Sequence, residues 1–186
     1  MKTFTISRLL LILGITLMVG CASTNTINLI YHPIEVDTSP CKGSIAVLAL
    51  EDQREFEAIG ERKDGQQIYG KPDASEWISR ALLEELKMSG CQGEYHDKGS
   101  DFNTDYIVTG AVKEMYFTQQ SISGFESEMK LRIVISKGGQ KVLGKEFSSK
   151  LRKKTLPGSG AFNEVLSELL QDMLREVVPD IRKVIQ

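Results

Sequence analysis

The segment from residue 125 to residue 135 alternates between apolar and charged side chains, and this pattern constrains the fold more than any other. Phe125, Met129, Leu131, Ile133 and Ile135 fall on one side, and Glu126, Glu128, Lys130 and Arg132 fall on the other. A period of two is typical of a β-strand with one buried face and one face in water. The rest of the chain must therefore supply a layer that covers the apolar face.

Two further strands are predicted beside this one. Residues 106–117 are rich in Val, Ile and aromatic side chains, and the sequence Lys137-Gly138-Gly139-Gln140 predicts a hairpin turn into a strand over 141–151. Together these strands predict an antiparallel meander.

Two amphipathic helices are predicted to form the covering layer. In the first, Asp73-Ala74-Ser75-Glu76 resembles a capping box and Gly90 is a good stop signal. In the second, which opens at Ser159 or Gly160, Pro179 is predicted to end or kink the helix. The apolar side chains of the second helix form a wide stripe along it. Such a stripe usually packs on a sheet, and the alternative is a helix that binds a partner. The apolar positions are Ala74, Trp77, Ile78, Ala81, Leu82 and Leu86, and then Phe162, Val165, Leu166, Leu169, Leu170, Met173, Leu174 and Val177.

The first half of the domain predicts a strand–helix–strand unit. Residues 44–50 form a continuous apolar run, typical of a central strand, and residues 91–95 predict a short parallel strand after the helix. The sequence therefore predicts an α+β, two-layer domain over residues 41–186. Its mixed, mostly antiparallel sheet would have about five strands, with two helices packed on one face.

The N-terminus has the layout of a signal for export. Lys2 and Arg8 precede an apolar run from Leu9 to Val19, which is too short to span a bilayer. Met18-Val19-Gly20-Cys21 resembles the lipobox of bacterial lipoproteins. The resemblance implies a signal peptide over 1–20, a lipid-modified Cys21 and a tether over 21–40. Because Ala22 follows the cysteine, it also implies a periplasm-facing position on the outer membrane; the alternative is an ordinary cleaved signal.

Export would place Cys41 and Cys91 in an oxidising compartment. Cys41 precedes the first strand of the predicted parallel pair and Cys91 opens the second, so both lie at one end of the sheet. A disulfide is predicted, and two free buried thiols are the alternative.

Composition and motifs exclude several classes of function. With 23 basic and 25 acidic side chains, the chain lacks the basic surplus of a nucleic-acid-binding protein. Its two histidines, His32 and His96, form no zinc-binding pattern with the cysteines. Neither a nucleophile elbow nor a phosphate loop is present. We therefore predict no catalytic residues, no metal and no cofactor, and expect a protein that is not an enzyme.

Residues 51–72 predict a long, charged connection after a central strand, where such domains often bind ligands. Asp52, Arg54, Arg62 and Lys63 are its candidate recognition residues, for a partner or an anionic ligand. The alternative is that Asp52 and Arg54 form a local ion pair that shapes the turn.

A second candidate surface is the basic run near the end of the last strand. Lys150, Arg152, Lys153 and Lys154 could contact anionic lipid headgroups. The alternative is a solvated strand end.

Several features together resemble the YajG-type outer-membrane lipoproteins. They are the lipobox, Ile27-Asn28-Leu29, Asp52-Gln53-Arg54, Ile59-Gly60-Glu61-Arg62, the helix from Trp77 to Gly90, the hairpin strands and Gly160-Ala161-Phe162. This resemblance implies a location and a fold but no catalytic residues. We expect a membrane-attached module that binds an envelope protein or assembles with it. The alternatives are a carrier for a lipid or small molecule and a hydrolase with an unrecognised site.

Overall fold

A computed structural model describes residues 25–34, 39–97, 103–156, 158 and 160–185. The predicted signal, Cys21 and Ser159 lie outside the described residues. The strands are β1 (Thr26–Asn28), β2 (Ser44–Leu48), β3 (Glu51–Asp52), β4 (Gly60–Glu61), β5 (Gln67–Lys71), β6 (Gln92–His96), β7 (Tyr106–Gln119), β8 (Gly124–Lys137) and β9 (Gln140–Lys154). The helices are α1 (Ala74–Met88) and α2 (Ala161–Ile185).

The long strand β7 organises the sheet. On one side it pairs antiparallel with β8, which in turn pairs with β9. On its other side it pairs in succession with the parallel strands β2, β3 and β4. β6 extends the sheet beside β2, and β5 followed by β1 extends it beside β4.

The predicted α+β class with two helices is confirmed, but the strand count was wrong. The described residues contain nine strands in one mixed sheet, against about five expected. β3 and β4 have only two residues each and β1 has three. Strands of two or three residues are too short to show an alternation of apolar and polar side chains, so the sequence carries no periodic signal for them. They form because a longer neighbouring strand supplies hydrogen-bonding partners.

A β-bulge in β7 keeps one face of the sheet continuous. The register with β8 shifts between Val112 and Glu114, so that Lys113 is the extra residue. Val108 and Val112 are buried before the bulge, and Met115 and Phe117 are buried after it. Without the extra residue the period of two would turn the second pair into solvent.

Both helices cover the same face of the sheet. α1 packs mainly on β6, β2 and β7, and α2 packs on β8 and β9. We call this the covered face. The core between the layers includes Trp77, Ile78 and Leu82 of α1 and Leu166, Leu169 and Met173 of α2.

Two predicted helix signals behave differently in the fold. Asp73 occupies the N-cap position of α1, but its side chain makes no capping hydrogen bond. Pro179 lies inside α2, which continues to Ile185. Val177, Val178 and Ile181 are buried around it, and their packing outweighs the one backbone hydrogen bond that proline removes.

The predicted disulfide joins Cys41 to Cys91, whose Cα atoms are 4.7 Å apart. The reason is the one expected: β2 and β6 are parallel, with Ser44 beside Gln92, so the two cysteines precede neighbouring strand starts. The Cys41 N–H also donates to the Gly90 carbonyl at 3.2 Å.

Candidate functional site

The segment 51–72 is part of the sheet rather than an open connection. Its backbone is fixed by bonds from Gln53 N–H to the Val112 carbonyl at 2.9 Å and from Phe117 N–H to the Ile59 carbonyl at 3.0 Å. Ile59 and Ile68 are buried in the core. Any recognition by this segment therefore depends on the side chains that it presents.

Asp52 and Arg54 form a bidentate ion pair. Arg54 Nε donates to Asp52 Oδ1 at 2.9 Å and Nη2 donates to Oδ2 at 2.7 Å. The Arg54 side chain is only 7 % exposed. Hydrogen bonds from Arg54 hold the pKa of Asp52 below its usual value. This geometry fits the local-ion-pair alternative, and a direct role of the pair in recognition stays a prediction.

Arg62 and Lys63 lie elsewhere on the sheet. Asp52 pairs with Val112 and Glu61 pairs with Thr118, and six residues of extended chain span about 20 Å. The Arg62 guanidinium lies over the Phe162 ring, 5.1 Å from its centroid, while Lys63 is exposed in the turn between β4 and β5. The four candidate residues therefore do not form one site.

The basic run at the end of β9 is also divided. Lys150 and Arg152 lie on the uncovered side, 2.8 Å from Glu128 and 2.9 Å from Glu126. Lys153 lies on the covered side and pairs with Glu164 and Glu168 of α2. Lys154 is exposed at the strand end. Since carboxylates neutralise three of these cations, the run does not form a continuous basic patch.

The uncovered side of β7, β8 and β9 is the candidate recognition surface, and we call it the open face. It carries Glu114, Tyr116, Glu126, Glu128, Lys130, Arg132, Lys150 and Arg152. Lys130 pairs with Glu114 at 2.5 Å and with Glu128 at 3.1 Å. Hydrogen bonds from Lys150 and Lys130 hold the pKa of Glu128 below its usual value. The face is thus charged in both signs and largely neutralised within itself.

Two depressions interrupt this charged face on either side of the Lys113 bulge. One of about 430 Å³ is lined by Arg54, Phe56, Ala58, Met115 and Tyr116, with Lys113 and the carboxylates of Glu55 and Glu114. The other, of about 370 Å³, has Ala49, Ala111 and Val134 in its lining together with the polar side chains of Glu51, Gln53 and Arg132. Phe56 is 58 % exposed. The exposed Phe56 side chain beside the first depression is therefore the candidate contact for a partner, since aromatic anchors contribute much of the energy at protein interfaces.

Sequence reasoning missed Phe56 and Tyr116. The available signal for Phe56 was a single aromatic residue in the charged stretch Glu51–Glu57, and for Tyr116 an aromatic residue that the Lys113 bulge turns to the solvent side. Burial of its ring and the nearby Glu61 carboxylate raise the pKa of Tyr116. The Tyr116 hydroxyl lies 3.4 Å from Glu61 Oε2.

Part of the predicted tether packs on the domain through a buried carboxylate. Glu85 of α1 is 2 % exposed. Its Oε1 accepts hydrogen bonds from the Tyr31 hydroxyl at 2.5 Å and from Ile34 N–H at 2.7 Å. Burial and this carboxylate raise the pKa of Tyr31. Residues 25–34 are therefore held to α1 and to the β5 edge, which fixes where the N-terminal segment leaves the described structure.

Two further findings bear on metal binding and membrane spanning. Among the described residues, no group of three or more His, Cys, Asp or Glu side chains is placed to hold a metal ion. No helix in the described ranges is long and apolar enough to cross a membrane. The prediction that the protein is not an enzyme remains a prediction.

Comparison with known proteins shows the fold. No protein-family model matches the chain, and no curated protein matches it. A Xanthomonas campestris protein of the family DUF330 is 10 % identical, with a TM-score of 0.64 over 86 % of this chain and 95 % of its own. A PelC protein from Paraburkholderia phytofirmans, described as a dodecamer, is 14 % identical, with a TM-score of 0.53 over 78 % and 93 %. A hypothetical protein from Chlamydia trachomatis is 11 % identical, with a TM-score of 0.53 over 77 % and 98 %. At these identities, the likeness establishes a shared architecture and leaves the family open.

Proposed function

We propose that this chain is a lipid-anchored, YajG-type lipoprotein of the outer membrane, facing the periplasm, and that it binds another envelope protein through its open face. It acts as a non-enzymatic binding or assembly module. The lipobox-like sequence ending in Cys21 supports the anchor. The observation that carries the binding role is Phe56, an exposed aromatic side chain beside a depression that Tyr116 also lines.

The chemistry of the open face suits protein recognition. Interfaces combine an apolar or aromatic centre with a polar rim, and here Phe56, Tyr116 and Ala58 are surrounded by Arg54, Glu55, Lys113 and Glu114. The neighbouring charges are held by mutual ion pairs, so a partner meets a pre-organised pattern of both signs. Complementary charges would then set register and specificity.

A second copy of this chain is one candidate partner. The PelC protein that shares the architecture is a dodecamer, so the fold is compatible with self-association. The carrier alternative requires a cavity that encloses an apolar ligand. The two depressions on the open face are shallow and open to solvent, and they therefore favour a macromolecular partner.

Site-specific photocrosslinking tests this proposal. A photoreactive phenylalanine analogue replaces Phe56 in the full-length, acylated protein in membranes, and the adducts are identified by mass spectrometry. The matched control is the same analogue at Val142, which is 47 % exposed and lies near the β8–β9 turn. We expect a dominant protein adduct, either an envelope protein or a second copy, from position 56 only. A lipid or glycan adduct without a protein adduct would contradict the binding module and support the carrier alternative. Equal adducts from both positions would contradict the open-face site.

Phe56→Ala gives a quantitative version of the same test. Truncating a central aromatic contact costs at least about 2 kcal/mol of binding free energy, roughly a thirtyfold loss of affinity. Because Phe56 is 58 % exposed, the midpoint of denaturant unfolding should hardly change. Unaltered affinity for the crosslinked partner would show that Phe56 is not at the centre of the interface.

A further inference from the structure

The N-terminal segment enters the fold at one end of the sheet, and the strand directions identify what else lies there. β1 and β5 are parallel, so the start of β1 lies at the same end as the β4–β5 turn. β4 is parallel to β7, and β8 and β9 follow in antiparallel order. The turn between β7 and β8 and the end of β9 therefore share this end. We call it the N-terminal pole: Asn25, residues 62–66, residues 120–123 and residues 154–156.

The two most exposed large apolar side chains of the described structure lie at this pole. Leu156 is 86 % exposed and Ile122 is 62 % exposed, the two highest values among the large apolar side chains that the structure describes. They belong to adjoining segments, because Thr155 N–H donates to the Ser123 carbonyl at 2.9 Å and Gly124 is paired with Lys154. Leaving two large apolar side chains in water is unfavourable, and their shared position indicates a common apolar contact.

The cations of the pole complement these apolar tips. Lys63 and Lys154 are both exposed, and neither forms an ion pair with the residues that the structure describes. In contrast, Lys150, Arg152 and Lys153 are neutralised by nearby carboxylates. Asp64 is the one acidic side chain in the turn of Lys63, and its Oδ1 accepts from Gln66 N–H at 3.2 Å. Exposed apolar side chains at the same pole as these lysines match the chemistry of an anionic membrane surface.

The proposed lipid anchor at Cys21 is connected to the same end of the sheet. Three residues lie between Cys21 and Asn25, so their Cα atoms are at most about 14 Å apart. Asn25 is held beside β5, since its carbonyl accepts from Tyr69 N–H at 2.8 Å. A lipid on Cys21 must therefore enter the bilayer close to the N-terminal pole.

We propose that the N-terminal pole rests on the bilayer, with Ile122 and Leu156 inserted among the headgroups and Lys63 and Lys154 against lipid phosphates. The inference rests on the proposed lipid anchor at Cys21. It moves the expected headgroup contact from the whole run 150–154 to Lys154 alone, joined by Lys63 from another part of the chain. The strands β7, β8 and β9 then extend away from the bilayer surface, and the open face remains accessible to a partner protein.

Quenching by brominated lipids measures this contact directly. Full-length acylated protein carrying L156W or I122W is reconstituted in phosphatidylcholine–phosphatidylglycerol vesicles with bromine on the acyl chains. V142W is the matched control at the opposite pole, since fourteen residues of β8 span about 45 Å. Trp77, the single native tryptophan, is 4 % exposed and adds the same background to each variant.

We expect bromolipid to quench the emission of L156W and I122W and to leave V142W unchanged. K63E/K154E should reduce the quenching of L156W, and K141E at the opposite pole should not. The same degree of quenching of L156W and V142W by bromolipid would overturn the proposal. Mass spectrometry of the same samples reports the lipid on Cys21 independently. An unmodified Cys21 would refute the anchor, while the quenching of L156W would still decide whether the pole contacts lipid.

Discussion

The two faces of β7, β8 and β9 are built from alternate residues of the same strands and have opposite chemistry. On the covered face, Met129, Leu131 and Ile133 are at most 1 % exposed beneath the helices. On the open face, Glu128, Lys130 and Arg132 alternate with them in sequence and contact solvent or one another. Burial stabilises the domain, whereas an exposed ion pair contributes little. The covered face should therefore determine stability and the open face should determine binding.

Removing the disulfide should lower the free energy of unfolding more than any other change considered, because it links the segment before β2 to the start of β6. Cys91 is 4 % exposed in the core. C41A/C91A opens a loop whose ends are separated by 50 residues, and the chain-entropy estimate gives a loss of about 4 kcal/mol in the free energy of unfolding. Urea denaturation of the oxidised protein, the reduced protein and C41A/C91A measures this loss. Equal midpoints for all three would show that the bridge does not constrain the unfolded chain.

Neighbouring residues on the two faces provide the sharpest comparison. Ile133→Ala leaves a cavity under α2 and should cost about 3 kcal/mol of unfolding free energy. Arg132→Ala, one residue earlier on the open face, should change it by less than about 0.5 kcal/mol. Both values come from the same denaturation experiment. Similar losses from the two substitutions would contradict the assignment of stability to the covered face.

Asp52→Asn tests the ion pair with Arg54, which lies beside the open face. The substitution removes the charge that compensates Arg54, whose side chain is 7 % exposed. A loss of about 1–2 kcal/mol in unfolding free energy is expected from the weakened hydrogen bonds. Glu51→Gln, at the exposed neighbouring position, is the control. If Asp52→Asn left stability unchanged but abolished partner capture, the pair would belong to the recognition surface.

Glu128→Gln should have a small effect on stability. This carboxylate pairs with Lys130 and Lys150 on the open face, and such exposed pairs contribute less than about 1 kcal/mol. The difference from the wild type should shrink further at high salt, because salt screens exposed charges. A loss that exceeded that of Ile133→Ala would reverse the comparison.

Acid should weaken the protein through these same carboxylates. The pKa values of Asp52 and Glu128 are lowered in the fold by Arg54 and by Lys150, respectively. Below the ordinary values of 3.8 and 4.5 the unfolded chain binds more protons than the folded one, so stability falls as the pH drops through the folded pKa values. The stabilisation is fully present at neutral pH. The slope of unfolding free energy against pH should be shallower in Asp52→Asn.

The predictable parts of the fold are those with long periodic patterns. The alternation in β8, the stripes of α1 and α2 and the apolar run of β2 determined the class, the layers and the disulfide. β3 and β4 have two residues each and are fixed by pairing with β7, while β1 and β5 extend the sheet beyond β4. None of these four strands was predicted within its bounds, since their pairing depends on neighbouring strands rather than on a periodic pattern of their own. The candidate site was predicted only in part. The sequence identified the segment containing Arg54. In the structure the Arg54 side chain is largely buried in its ion pair with Asp52, and Phe56 is the exposed side chain instead.

The amino-acid sequence by itself determined which side chains need burial, because hydrophobic periodicity is a local property of the chain. It also placed a lipobox-like cysteine a few residues before the folded domain. Only the tertiary structure decided which charges are neutralised and which remain free. Lys150 and Lys153 lie close together in sequence but on opposite faces, where each meets carboxylates from other elements. Lys154, next in the chain, lies at the same pole as Ile122 and Leu156 because the end of β9 pairs beside the β7–β8 turn.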